Sequence, residues 1–213
     1  MKVAILGEAA LDEAVVRVYV DRLLGRATEP IDPRVRRPPG GGWTEVLRQI
    51  DRAIPYLHFR TDAAAIVVVI DSDDTPVHEA THDLQPDGQC RLCMLRERIR
   101  VASAKLKPAG RPPLLYGLGL AVPCIEAWLF HGTDRSINEQ AWREGLARRR
   151  RPFERSGLKE RLYGPGRPAE EVTIPIAVAA ATRGAHDLDG LRRAHPGFTA
   201  LATSIASWSG STP

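Results

Sequence analysis

The sequence predicts an α/β fold: a mainly parallel four-stranded sheet with helices on both faces, followed by a helical extension. Three observations predict it. Short apolar runs alternate with stretches of helical spacing, the pattern of a sheet whose parallel strands are joined by crossover helices. The run at 64–70 is continuously apolar, rich in β-branched residues and closed by acids, as expected of a central strand covered on both faces. Beyond Pro123 the pattern turns mostly helical.

The elements follow in order. Residues 2–6 form a first strand and 7–10 a turn. Residues 12–24 carry Val15, Val16, Val18, Val20, Leu23 and Leu24 at helical spacing, and Gly25 ends that helix. Residues 29–35 are a second strand, and 36–42 a Pro/Gly loop. Val46, Leu47, Ile50, Ile54 and Leu57 place a helix over 43–57. A polar loop follows the 64–70 strand to about Gly88, then a helix over 91–106 and a fourth strand at 114–120. Helices are expected at 125–130, 139–149, 172–181 and within 188–207, with 209–213 as a tail. The domain division is 1–130 for the sheet domain, with 74–93 as a loop insertion, and 131–208 for the helical extension.

Composition narrows the class. No apolar run is long enough to span a membrane, so no membrane partner is expected. Cys90, Cys93 and Cys124 are odd in number and no secretion signal precedes them, which argues for a reducing, cytoplasmic compartment. The net charge of +4 leans towards anionic partners. Lysine occurs only at positions 2, 105, 107 and 159, and arginine fills every other basic position. Lys159 therefore stands out, because an ammonium can donate a proton where a guanidinium does not.

In open parallel sheets ligands bind beyond the carboxyl ends of the strands. Glu8 and Asp12 fall after the first strand, and Asp71-Ser72-Asp73-Asp74 after the third. Carboxylates on adjacent short loops suit Mg²⁺ or Mn²⁺, one ion or two. Asp12 at a helix start also fits a simple N-terminal cap.

With that order of elements, strand, Glu8, helix, strand, helix, apolar strand and Asp71-x-Asp73, residues 1–130 resemble the TOPRIM domain of topoisomerases, bacterial primases, ribosomal RNA maturases and the overcoming-lysogenisation-defect (OLD) nucleases. Pro123-Cys124-Ile125-Glu126-Ala127-Trp128-Leu129 and Leu158-Lys159 extend the likeness to small stand-alone TOPRIM-like proteins. The resemblance implies a Rossmann-like sheet and a metal-dependent nuclease acting on DNA or RNA. It implies Glu8, Asp71, Asp73 and Lys159 as catalytic residues, and Glu8, Asp12, Asp71, Asp73 and Glu126 as metal ligands. Ala9 and Leu11 depart from the family, which has Gly after the first acid and Ser or Thr before the second. The OLD nucleases carry an ATPase. This chain has no G-x-x-x-x-G-K-[ST], so the resemblance implies a separate ATPase or regulator, with a role in phage or plasmid defence. A homodimer is compatible with it.

Competing motifs share the same stretch. Asp71-Ser72-Asp73-Asp74-Thr75 fits the D-x-D-x-T of haloacid-dehalogenase-like phosphatases, in which the first Asp is a nucleophile, although two βα units precede it here. A non-catalytic nucleic-acid- or partner-binding module is the other alternative. His78-Glu79-Ala80-Thr81-His82 matches the zinc-protease H-E-x-x-H, but Pro76, Pro86 and Gly88 leave little room for its helix. The same histidines with Cys90 and Cys93 offer His-x₃-His and Cys-x₂-Cys, four ligands suited to structural Zn²⁺. Arg36 and Arg37, and the run Arg148, Arg149, Arg150 and Arg151, are candidate contacts to a nucleic-acid backbone.

Overall fold

The computed structural model describes residues 1–35, 42–108, 110, 112–166 and 168–210. Arg36 and Arg37 lie outside the described residues. The four strands are β1 (Lys2–Leu6), β2 (Glu29–Pro30), β3 (Ala65–Asp71) and β4 (Leu115–Ala121). They form one sheet in the order β2-β1-β3-β4, with every pairing parallel. This is the α/β, Rossmann-like architecture expected from the alternation of strands and helices. The second strand is far shorter than 29–35. Pro30 and Pro33 have no amide hydrogen to give a ladder, which leaves a two-residue edge strand paired only at Lys2↔Glu29 and Val3↔Pro30.

Alternation along the strands separates two cores. Val3, Ile5, Ala65, Val67 and Val69 face helices α1 (Ala10–Leu24), α8 (Glu170–Gly184), α9 (Leu188–Ala194) and α10 (Pro196–Ala206). Ala4, Leu6, Ile66, Val68 and Ile70 face α2 (Gly42–Arg60) and α4 (Arg91–Ala104). The C-terminal helices thus complete the layer that α1 begins. Tyr19 of α1, Trp128 of α5 (Ile125–Leu129) and Phe198 of α10 meet edge to face there, with centroids 5.1–6.1 Å apart.

Three helical details differ from expectation. Thr81–Leu84 forms a short helix, α3, inside the expected polar loop. Helix α7 (Arg155–Tyr163) was not anticipated; it follows α6 (Glu139–Ala147) and carries Lys159. The 188–207 stretch breaks at His195, because Pro196 cannot continue α9 and instead opens α10 at its first turn. Among the described residues no helix is long and apolar enough to cross a membrane.

Helix α10 touches β4 so closely that one position admits no side chain. A Cβ on Gly197 would lie 1.9 Å from the Leu120 carbonyl oxygen. Gly197→Ala is expected to lower stability by roughly 3 kcal/mol or more, at the upper end of overpacking costs, because backbone and not a flexible side chain must yield. Chemical denaturation measures this. A loss below about 1 kcal/mol would show that α10 sits further from β4.

Candidate metal and phosphate site

The sheet order places a switch between β1 and β3: the chain leaves β1 towards β2 on one side and resumes at β3 on the other. The acids gather there. Gly7 starts the turn out of β1 and passes so close to α1 that a Cβ would come within 2.9 Å of Asp12 Cβ. Glu8 follows, and its Oε1 accepts the Asp71 backbone N–H at 2.9 Å, bridging the ends of β1 and β3. Asp12, in the first turn of α1, accepts the Ala9 N–H through Oδ2 at 2.9 Å. It therefore does cap the helix, as half of a capping box, since Ala9 has no oxygen to return the bond. Asp71, the last residue of β3, accepts the Ile125 N–H at 2.9 Å through Oδ1. Glu126 follows in α5, just beyond β4, and is 3% exposed. Its Oε1 lies 3.7 Å from Lys159 Nζ, while its Oε2 is buried with no hydrogen-bond partner.

These groups feel one another electrically. Desolvation, then the charges of Asp12, Glu8 and Glu126, raise Asp71 well above the usual aspartate range, against the pull of Lys159. Desolvation, then Glu126, push Asp12 from 3.8 up to about 7. Desolvation also raises Glu8, although the Asp71 amide, Arg91, Arg155 and Lys159 oppose it. Desolvation pulls Lys159 down, but Glu126, Asp71, Cys124 and Asp12 outweigh it and the ammonium ends above its usual value. Tyr163 and Cys124 border the cluster. Burial and then the Glu126 charge raise both; Cys124 belongs to the 123–129 motif, whereas the sequence offered no signal for Tyr163.

Asp73, also expected to be a ligand, is engaged by two arginines. It sits in left-handed backbone, φ 51°, a conformation that Asp tolerates better than most residues, and its carboxylate turns to Arg91, at 2.7 Å, and to Arg155. Arg91 also donates to the Asp71 carbonyl at 2.6 Å and lies over the Trp43 ring at 4.6 Å. The expected basic run follows α6, with Arg148 at its C-cap, and all four arginines are exposed. Arg148 pairs with Glu144 in its own helix, while Arg151 reaches Asp74 and Glu154, beside the strand exit.

His78, His82, Cys90 and Cys93 are brought together and could hold a metal such as zinc: their ligand atoms lie within 4.8 Å of one another. Among the described residues no set of carboxylates is drawn in that closely. A cavity of about 570 Å³ lies apart from the acids, between His78, His131, Glu139 and Asp187. No family model matches the sequence, and no curated protein or solved structure matches it either.

The crowded carboxylates make a pH-dependent prediction. An acid whose folded pKa is raised holds its proton more tightly when folded, so the Asp12 contribution to metal-free stability falls as pH rises from 3.8 towards 7 and is level above that. Glu139, raised to about 8, adds a fall of the same sign, while His195, held down at about 3 by burial, adds a rise. Neither belongs to the cluster, so the increase in Tm on adding Mg²⁺ isolates the acids. That increase is expected to be negligible near pH ~4 and to grow through pH ~7, as the cation displaces protons. A Mg²⁺ effect that is flat across this range would remove the cluster as a cation site.

Proposed function

We propose that this protein is a TOPRIM-like, metal-dependent nuclease that hydrolyses phosphodiester bonds in DNA or RNA. One observation carries the proposal: Glu8, Asp12, Asp71 and Glu126, from the ends of three parallel strands, share a field with Lys159, and one buried Glu126 oxygen has no partner. Such crowding is relieved either by protons or by a cation. The donor set is all oxygen, which suits Mg²⁺ or Mn²⁺. Glu8, Asp71 and Glu126, with Asp12 beside them, would hold the ion. When bound, it neutralises phosphate charge and lowers the pKa of water.

The chain's own groups supply the remainder. Lys159 stands at the exposed edge of the cluster, where its ammonium can meet a phosphate oxygen or protonate a leaving oxygen. Arg91 and Arg155 hold Asp73 aside and keep the β3 exit in place. The arginines after α6 provide backbone contacts that read charge and not base sequence. A D-x-D-x-T phosphatase would need the Asp73 carboxylate beside Asp71 as acid and base, and its pairing with Arg91 and Arg155 counts against that alternative.

A panel of single- and double-stranded DNA and RNA, with Mg²⁺, Mn²⁺ or EDTA, tests the proposal. Cleavage is expected with either ion and none with EDTA. Absence of cleavage on every substrate, with binding retained, would favour a non-catalytic binding module.

A further inference from the structure

A second set of side chains gathers between the segment that follows β3 and the start of α4. His78 Nδ1 is 3.5 Å from Cys90 Sγ and 3.6 Å from Cys93 Sγ. The His78 and His82 rings meet edge to face with centroids 5.4 Å apart. Both thiols are buried and neither is in a disulfide. The local sequence explains the sulfurs: Cys90 caps the start of α4 and Cys93 is its third residue, so both project from one end of that helix.

One nitrogen of each imidazole faces a carboxylate. His78 Nε2 is 3.2 Å from Asp83 Oδ1, an acceptor shared with Arg96, and His82 Nε2 is 3.8 Å from Asp87 Oδ2. At His78, where Arg96 Nη1 also lies 3.2 Å from Nε2, the Asp83 carboxylate favours a proton on Nε2 and leaves the Nδ1 lone pair, which faces both sulfurs, for a metal. This is the usual outer support of a ligating histidine. His82 Nδ1 takes the Glu79 backbone N–H at 3.5 Å, a contact that a metal at that nitrogen would replace. Two thiols and two imidazoles make a closed set of four ligands, soft enough for Zn²⁺ and unsuited to Mg²⁺.

We propose that His78, His82, Cys90 and Cys93 bind one Zn²⁺ as a closed structural site, and that this ion fixes Arg91 against the end of β3. Arg91 lies between the two cysteine ligands in sequence. Its guanidinium, with the residue only 6% exposed, holds the Asp71 carbonyl and the Asp73 carboxylate. The strand exit, residues 72–90, has a single short helix of its own, α3. Closing it through His78 and His82 onto the start of α4 sets both ends of the Arg91 contact. The proposal does not depend on nuclease activity.

Metal analysis of freshly purified, unchelated protein tests the first half. About one zinc per chain is expected, with Co²⁺ replacement giving thiolate charge-transfer bands and tetrahedral d–d absorption. Cys93→Ser and His82→Ala should each lower the zinc content. Protein that carries no zinc and takes up no Co²⁺, or a Cys90–Cys93 disulfide in protein isolated under reducing conditions, would overturn the site. Hydrogen exchange on the wild-type chain before and after chelation tests the second half without any variant. Exchange across 72–93 should accelerate roughly tenfold or more while the β3 and β4 core keeps its protection. Unchanged exchange in that segment would overturn the coupling to Arg91.

Discussion

Asp71→Asn is expected to abolish metal-dependent cleavage, by roughly a thousandfold or more, while leaving the fold and nucleic-acid binding intact. An asparagine can keep the Oδ1 acceptor that receives the Ile125 N–H at 2.9 Å, so the junction of β3 and α5 survives. What it loses is a negative charge at the centre of the cluster. Asp12, Glu8 and Glu126 all act on Asp71, so removing its charge relieves repulsion. The variant should therefore melt at or above the wild-type temperature in metal-free buffer and respond less to Mg²⁺. A loss of cleavage accompanied by a large fall in Tm would point to a structural role. Asp73→Asn is expected to cost far less than Asp71→Asn, because the Asp73 carboxylate is paired with Arg91 and Arg155. Equal losses from the two substitutions, or wild-type cleavage persisting in excess EDTA, would break the assignment.

Lys159→Arg should retain folding, metal binding and most nucleic-acid affinity, yet lose cleavage by roughly a hundredfold, the scale of one transition-state contact. The ammonium lies 3.7 Å from Glu126 Oε1 with its side chain 56% exposed, so it faces both the acids and the solvent from which a polyanion arrives. A guanidinium keeps the charge but is broader, and it cannot readily give up a proton. Lys159→Met tests the charge itself. Lys159 lowers the pKa of Asp12, Asp71 and Glu8, so its removal raises all three and moves the acid limb of the pH–rate profile upward. Near wild-type turnover in Lys159→Arg would reduce the need at that position to charge alone. An unshifted acid limb in Lys159→Met would detach the lysine from the carboxylates.

Much of the fold was legible along the chain because its signals are local. The β-branched run ending at Asp71 could only be a doubly covered strand, and β3 is buried at every residue from Ala65 to Ile70. Gly25 adopts the left-handed conformation that ends α1. The four zinc-ligand candidates were legible for a similar reason: their spacing is short, and one loop and one helix start bring them together. Helix α7 was missed because its glycine and charged residues give it little amphipathic pattern, with Leu158 its one buried residue.

By itself the sequence determined an alternating parallel sheet with acids at the strand exits, since burial periodicity and strand termini are properties of neighbouring residues. Only the tertiary structure decided which acids meet. Near the same strand end, Asp71 and Asp73 take different partners: Asp71 accepts the Ile125 N–H, while Asp73, in left-handed backbone, pairs with two arginines. Glu126 and Lys159, separated by α6 and the loops around it, come together because α5 and α7 pack against each other. That meeting depends on long-range packing of helices against the sheet, and no local spacing encodes it.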